Sequence, residues 1–308
     1  MFQVTEAKRE KIKAVIGFIG CSGSGKTGSA LITAFGMMQE AYPNLSAEEL
    51  WKKIGVIDTE HERSKLHVGL VYGEVKIGNF LHIDFNAPYT TERYNQAVQV
   101  MKQAGAEVLI IDSLSHNWQG EGGIVETHGQ MSGNSFQNWG KLSSETNNLI
   151  KTLTQNNVHI LATLRTKTEY VVEPDGNGKM APRKVGTKPV QKEEMEYEFM
   201  LNFVIDIDHV ADTSKDNTQM FEGHPQKITA EIGRKLYQWL ELGIDVKAEE
   251  ENKRNNLIAQ IKEIVNTSDD AAKMLSEIEF KTSQKLDDFN MKFLTVALER
   301  LQEFKGGE

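Results

Sequence analysis

Cysteine is nearly absent from this 308-residue chain, which contains only Cys21. An intramolecular disulfide is therefore excluded, and so is a structural zinc site built on cysteines. His61, His116 and His128 do not supply a substitute, because they are not at metal-ligand spacing. The opening residues, MFQVTEAKREKIK, are charged throughout and lack the apolar stretch of a secretory signal. No apolar run approaches the roughly 18 residues that a membrane span requires. These absences lead us to expect a soluble, cytoplasmic protein with no membrane partner. Positive charge is also in deficit, with 35 Lys and Arg against 44 Asp and Glu, a net of −9. Bulk charge alone gives no reason to expect a nucleic-acid partner. There is no internal repeat and no low-complexity tract.

What is present is ordinary in amount, at 39% hydrophobic and 26% charged residues, and informative in order. Short apolar runs at 14–19, 54–58, 81–85, 108–112 and 159–164 read as strands. Helical patterns lie between them, at Lys26 to Glu40, Thr91 to Gln103 and Lys141 to Gln155. Tyr94, Ala97, Val98 and Met101 share one face of the second of these helices, and Ser46 with Glu49 forms a capping box for a shorter one. Alternating strands and helices predict an α/β fold with a mostly parallel twisted sheet, and uninterrupted apolar runs predict strands covered on both faces. A polar loop is expected from Arg165 to about Glu194. Further strands are expected at 199–210 and 219–221, and a closing helix at 228–242. Residues 247–256 read as a charged linker or helix start. Two apolar stripes follow, one through Leu257, Ile258, Ile261, Ile264 and Val265 and one through Met291, Leu294, Leu298 and Leu301. The expected organisation is a core over 1–246 and a small helical domain over 247–308.

Gly20-Cys21-Ser22-Gly23-Ser24-Gly25-Lys26-Thr27 matches G-x-x-x-x-G-K-[ST] in full, between a predicted strand and a predicted helix. At average glycine usage of about 7%, such a match arises by chance in about one chain in a hundred, and its placement here lowers that further. The glycines let backbone N–H groups close around phosphates, Lys26 reaches the β- and γ-phosphates, and the Thr27 hydroxyl meets Mg²⁺. The expectation is an ATPase using ATP and Mg²⁺. Asp112, ending VLIID, is the expected second metal-holding residue, with Asp58 as runner-up because it also ends an apolar strand. Glu60, just past a strand tip, is the expected carboxylate that positions or deprotonates the attacking water.

The window 176–192 contains Lys179, Arg183, Lys184, Lys188 and Lys192 and no acid, which leaves −14 for the rest of the chain. A Gly- and Pro-punctuated basic loop in an acidic protein fits an anionic partner, and Tyr170 nearby could stack on a base. A solvated basic hairpin is the alternative. Trp118, Phe136 and Trp139 flank a second candidate, the Gly-rich segment 119–134, where buried packing competes with base stacking.

IDTEH (57–61) resembles the IDAEH segment of bacterial RecA, and the order of phosphate loop, acidic segment and strand-end aspartate is the RecA order. The chain is also similar to phage-encoded RecA-like ATPases of the Sak-four type. That similarity runs through IIDSLSHNW (110–118), SFQNWGKL (135–142), TLRTKTEYVVE (163–173), APRKVGTKPVQ (181–191), MEYEF (195–199) and TSKDN (213–217), and covers about residues 14 to 242. The resemblance implies a RecA-like core, assembly into rings or filaments, and single-stranded DNA binding in phage recombination. It also implies a recombinase or single-strand-binding protein as a further partner. It places the basic loop where RecA-type proteins keep a DNA loop, and Thr163 and Arg165 near the γ-phosphate sensor. Lys215, expected in a turn before Asp216, would reach a neighbouring subunit's γ-phosphate. The chain departs from the family at Thr163, Leu164 and Arg165, where RecA has a polar Asn-Gln pair, and at Asn217, where relatives often carry Arg. The competing functions are a hexameric helicase-type motor, which directional unwinding would reveal, and a regulatory P-loop ATPase that binds a protein.

Overall fold

A computed structural model of the chain describes residues 6–174 and 180–303; side chains at 169–174, 180–185 and 247 lie outside the description. Two compact units are present. One is Ile12–Glu241, and the other combines Met1–Lys11 with Leu242–Glu308. The sequence predicts a single boundary, at 246/247.

The larger unit is α/β, with a mostly parallel mixed sheet flanked by helices. In chain order it contains β1 (Val15–Gly20), α1 (Lys26–Ala41), α2 (Ala47–Trp51), β2 (Ile54–Asp58), a 3-10 turn (Arg63–His67), β3 (Val71–Tyr72), β4 (Val75–Lys76) and β5 (Leu81–Asp84). Then follow α3 (Thr91–Gln103), β6 (Val108–Asp112), α4 (Ser115–Gln119), α5 (Ile124–Gln130), α6 (Ser135–Thr154), β7 (His159–Pro174) and β8 (Met180–Pro189). The unit closes with α7 (Met195–Glu198), β9 (Leu201–Ile205), β10 (Ala211–Asp216) and α8 (Ala230–Leu240). The strands order β10–β9–β1–β7–β6–β2–β5; β8 pairs with β7, and β3 pairs with β4 in a separate ribbon. Pairing is parallel from β9 through β5 and antiparallel for β10 on β9 and β8 on β7.

Alternate strand residues feed two cores. Ile16, Phe18, Val56, Ile110 and Leu161 pack under α1 and α8, while Ile19, Ile57, Leu109, Ile111 and Ile160 pack under α3 and α6. Both faces are covered, which is why these strands read as unbroken apolar runs. The two glycines at the α1–α8 crossing have a specific cause: a Cβ on Gly36 would overlap the Ala230 carbonyl, and one on Gly233 the Thr33 carbonyl. The Ser46–Glu49 capping box forms as the sequence predicts.

Four elements differ from expectation. The stretch after Arg165 is not a loop, because β7 runs on to Pro174 and pairs antiparallel with β8. Its alternating Thr-Lys-Thr-Glu-Tyr-Val pattern suits a strand. Helix α6 begins at Ser135, not Lys141, because the Asn134 side chain accepts from the Gln137 amide at 3.2 Å and starts the helix there. The expected strand over 199–210 ends at Ile205, where Asp206 Oδ1 accepts from the Asp208 and Val210 amides and turns the chain into β10. Residues 219–221 are a turn instead of a strand, held by Asp216, whose carboxylate accepts from the Thr218 and Phe221 amides.

In the smaller unit, Lys11 N donates to Ile244 O and Ile244 N to Arg9 O, each at 3.0 Å. Its helices are α9 (Val246–Thr267), α10 (Asp269–Thr282) and α11 (Met291–Gln302). Residues 247–256 belong to α9, because Asp245 caps the Ala248 amide at 3.0 Å and the Glu- and Lys-rich sequence favours helix. Ile258, Ile261 and Ile264 pack with Phe289, Leu294, Leu298 and Leu301 in a core of their own.

Candidate functional site

The segment Gly20–Thr27 joins the end of β1 to the start of α1. Gly23 and Gly25 adopt φ of 84° and 88°, a left-handed conformation that glycine takes without steric cost. A Cβ on Gly25 would lie 2.9 Å from His209 Nδ1. That nitrogen donates to the Ser24 carbonyl at 2.9 Å, so the β9–β10 turn braces the loop. The Ser24 hydroxyl turns under the loop against Gly20 and is buried without a hydrogen-bond partner among the described residues. No side chain caps the start of α1 among the described residues, so its first amides remain free for an anion. Lys26 Nζ folds back to donate to the Cys21 carbonyl at 2.7 Å. Burial pulls the Lys26 ammonium below its ordinary range, opposed by the nearby Asp112 charge. A phosphate in place of that carbonyl would offset the desolvation with its negative charge.

Asp112 ends β6 and is buried. Its Oδ2 accepts from the Thr27 hydroxyl and its Oδ1 from the Thr163 hydroxyl, both at 2.6 Å. Burial raises its carboxyl above the usual range, and the two hydroxyls act in the opposite direction. The sheet order accounts for this contact: β7 lies between β1 and β6, so Thr163 reaches across to the strand-end carboxylate. Asp58 is committed elsewhere. Its Oδ1 accepts from the Glu60 amide at 2.7 Å, and its Oδ2 from the Ser64 amide at 2.9 Å and the Ser64 hydroxyl at 2.5 Å. Of the two strand-end aspartates, Asp112 faces the loop and Asp58 organises the turn that carries Glu60.

Glu60 meets Arg165 in a two-pronged ion pair. Nε donates to Oε1 at 2.7 Å, and Nη2 to Oε2. Thr163 and Arg165, expected against a nucleotide, are thus found on Asp112 and Glu60. The sequence reading also missed a network behind Glu60: Thr59 Oγ1 donates to Ser113 O at 3.1 Å, accepts from Ser113 N at 2.7 Å, and lies 2.6 Å from His116 Nδ1. Thr59 and Ser113 are polar residues beside the expected site acids Glu60 and Asp112, and that placement is their only signal in the sequence. Lys215 lies in strand β10, not in a turn, and donates to the Tyr197 carbonyl at 2.5 Å.

A cleft of about 960 Å³ opens beside the loop. Lys26, Thr27, Tyr72, His209, Lys227 and Arg234 are among its lining residues. The Tyr72 ring covers Gly28 on the first turn of α1.

Lys179 lies outside the described residues, as do the side chains of Tyr170, Arg183 and Lys184. Their backbone, from Tyr170 and from Met180 on, forms the β7–β8 hairpin, with Tyr170 opposite Lys184 and Val171 opposite Arg183. Lys188 pairs with Glu193 at 3.5 Å and Lys192 with Glu194 at 2.7 Å. Trp118 and Trp139 stack at 5.7 Å, and His128 stacks on Trp139 at 3.9 Å. Both tryptophans line a second cleft, of about 570 Å³, with Lys167, Lys188 and Lys192. Phe136 is largely exposed.

Among the described residues, no helix is long and apolar enough to cross a membrane, and no three His, Cys, Asp or Glu side chains converge on a metal site. No protein-family model matches the chain, and a search of curated proteins returns no relative.

Proposed function

We propose that the larger unit is a RecA-like ATPase core that binds ATP on the Gly20–Thr27 loop. The observation that carries this reading is the 2.6 Å contact between the Thr27 hydroxyl and the Asp112 carboxylate. It joins the last residue of a glycine-rich loop to an acid on a strand two positions away in the sheet. The donors fit Mg²⁺, which takes hard oxygen ligands and usually one or two carboxylates plus substrate phosphates. Thr27 and Asp112 would hold the ion, which when bound neutralises charge on the phosphates. The loop amides and the α1 N-terminus bind the phosphates, Lys26 exchanges Cys21 O for phosphate oxygen, and the side cleft takes the nucleoside. Hydrolysis joins a water oxygen to the terminal phosphorus and breaks its bond to ADP, while Glu60 accepts the water proton.

The same reading makes the β7–β8 hairpin the surface for single-stranded DNA, in a phage recombination protein that works as a homo-oligomer. Its support is the five-cation window at 176–192, of which Arg183, Lys184 and Lys188 belong to strand β8. The pairing of Lys188 and Lys192 with Glu193 and Glu194 favours the competing reading, a regulatory ATPase with a protein partner.

The experiment titrates a fluorescent ATP analogue into wild type and Lys26→Ala, then follows hydrolysis by Glu60→Gln. Binding should be lost in the first variant; in the second it should persist while turnover is lost. Equal analogue affinity in wild type and Lys26→Ala would remove the nucleotide from this loop. Titrating labelled oligonucleotide at several salt concentrations tests the DNA arm. Absence of binding in every nucleotide state would leave the regulatory reading in its place.

A further inference from the structure

The Glu60–Arg165 pair joins the expected base to the root of the hairpin. Glu60 sits at the tip of β2, with its amide fixed on Asp58. Its side chain is 14% exposed, whereas that of Arg165 is 44% exposed and open to approach by another anion. Arg165 pairs in register with Gly20, the first residue of the loop. Its amide donates to Ser115 Oγ at 2.9 Å, and its carbonyl accepts from Val190 N at 2.7 Å, just past the return strand of the hairpin. The next residue, Thr166, is the first of β7 to pair with β8. Arg165 is therefore both the last position of the parallel core strand and the first position beneath the arm.

A guanidinium that donates to both oxygens of a carboxylate takes up one lone pair on each and neutralises the charge that draws a proton, which weakens it as a general base. A base held this way is positioned but not available. We propose that the Glu60–Arg165 pair is an autoinhibitory latch, closed in the resting protein and opened when the phosphates of a single strand engage the β7–β8 hairpin and draw Arg165 away from Glu60. The inference rests on the assignment of Glu60 as the base and of the hairpin as the strand-binding arm. It adds the means by which one controls the other. Turnover then scales with the fraction of molecules whose latch is open. A latch closed in about nine molecules out of ten would hold the rate about tenfold below its released value.

The test compares steady-state ATP turnover of wild type, Arg165→Gln and Arg165→Lys, with and without oligo-dT. The latch requires a kcat for Arg165→Gln without DNA about tenfold above wild type, with KM changing much less. It also requires that oligo-dT stimulate wild type strongly and the variant little. Arg165→Lys keeps the charge but loses the fork, so it should fall between the two; it carries the comparison alone if Arg165→Gln does not fold. A variant rate at or below wild type without DNA overturns the latch, because Arg165 would then assist the reaction. A fast variant that is still stimulated by the wild-type factor, or a wild type that oligo-dT does not stimulate, overturns the hairpin as trigger. Failure of the underlying assignments gives different results. The double variant Glu60→Gln/Arg165→Gln should be inactive, and turnover there at the Arg165→Gln rate would remove Glu60 as base. Analogue binding unaffected by Lys26→Ala would remove the nucleotide site itself.

Discussion

His159 opens β7 with its ring enclosed, and its Nδ1 accepts from the Ala14 amide at 3.1 Å, tying the starts of two neighbouring strands together. Burial pulls its pKa down to about 3, and the Lys13 ammonium, 3.3 Å from Nε2, adds to that. A free imidazole titrates near 6.5, so between about 6.5 and 3 the unfolded chain binds a proton that the folded chain refuses. The stability this residue contributes is complete above the unfolded value and declines as pH falls through that window. Between pH 7 and 4.5 the loss from this one group is on the order of 2–3 kcal/mol. His159→Gln keeps an acceptor for Ala14 and does not titrate, so urea unfolding at the two pH values should show it losing that much less than wild type. Equal losses would mean that the ring is not held neutral. His159 is one of several residues whose roles depend on neighbours distant in sequence. The loop and Lys26 were legible because their spacing is itself the signal. Asp112 and Asp58 looked alike, since each ends an apolar strand, and only the strand order assigns one to Thr27 and the other to Ser64. Arg165 stands out in the sequence, but its partner, 105 residues away, is not legible there.

Helices α1 and α8 cross at Gly36 and Gly233, where each glycine approaches the other helix's backbone. Replacing a helical glycine by alanine ordinarily stabilises the helix by about 1 kcal/mol. Here the sign should reverse, because the added methyl meets a carbonyl oxygen that belongs to packed backbone. Gly233→Ala should cost about 1–3 kcal/mol, read as a lower urea midpoint with an unchanged slope. A stabilised variant would show that the crossing is loose. The segment just past β8 yields an opposite kind of prediction. Glu194 holds Lys192 at 2.7 Å, so Glu194→Gln should free a cation for phosphate, tightening oligonucleotide binding and steepening its salt dependence by up to about 0.7 per added contact. Weaker or unchanged binding would take Lys192 out of the strand path. The hairpin itself is hard to read in sequence. Its lysines and prolines hide an alternation that the extension of β7 beyond the core makes usable. Strand β10, ADTSKD, has almost no apolar content and exists because β9 offers it an edge. The buried parallel strands carried their own signal, since both faces are apolar.

At the scale of the whole molecule, each of the two units closes a core on itself. The sheet, the Gly20–Thr27 loop, Asp112, Glu60, Arg165 and the hairpin all lie within Ile12–Glu241. The two sheet cores in this unit draw their buried residues from within it, and Ile12 N donates to Leu240 O at 3.4 Å, joining its two ends. The smaller unit is built differently. Its helical core uses α9 and α11, but its chain entry at 244 is paired with residues 9 and 11. That arrangement could not be read from the sequence, because the charged opening segment has no periodicity to connect it with residues over 200 positions later. The fragment 12–241 is therefore expected to fold without the rest, since no residue of its cores or candidate site is removed. It should melt in one cooperative transition and bind the ATP analogue with the affinity of the full chain. A fragment of residues 242–303 alone is near the lower size limit for independent folding and lacks the pairing segment, so it should be marginal. Adding residues 6–11 back through a short linker should raise its helical signal in circular dichroism. An insoluble 12–241 fragment, or one that has lost analogue binding, would show that the larger unit depends on the smaller one for its stability.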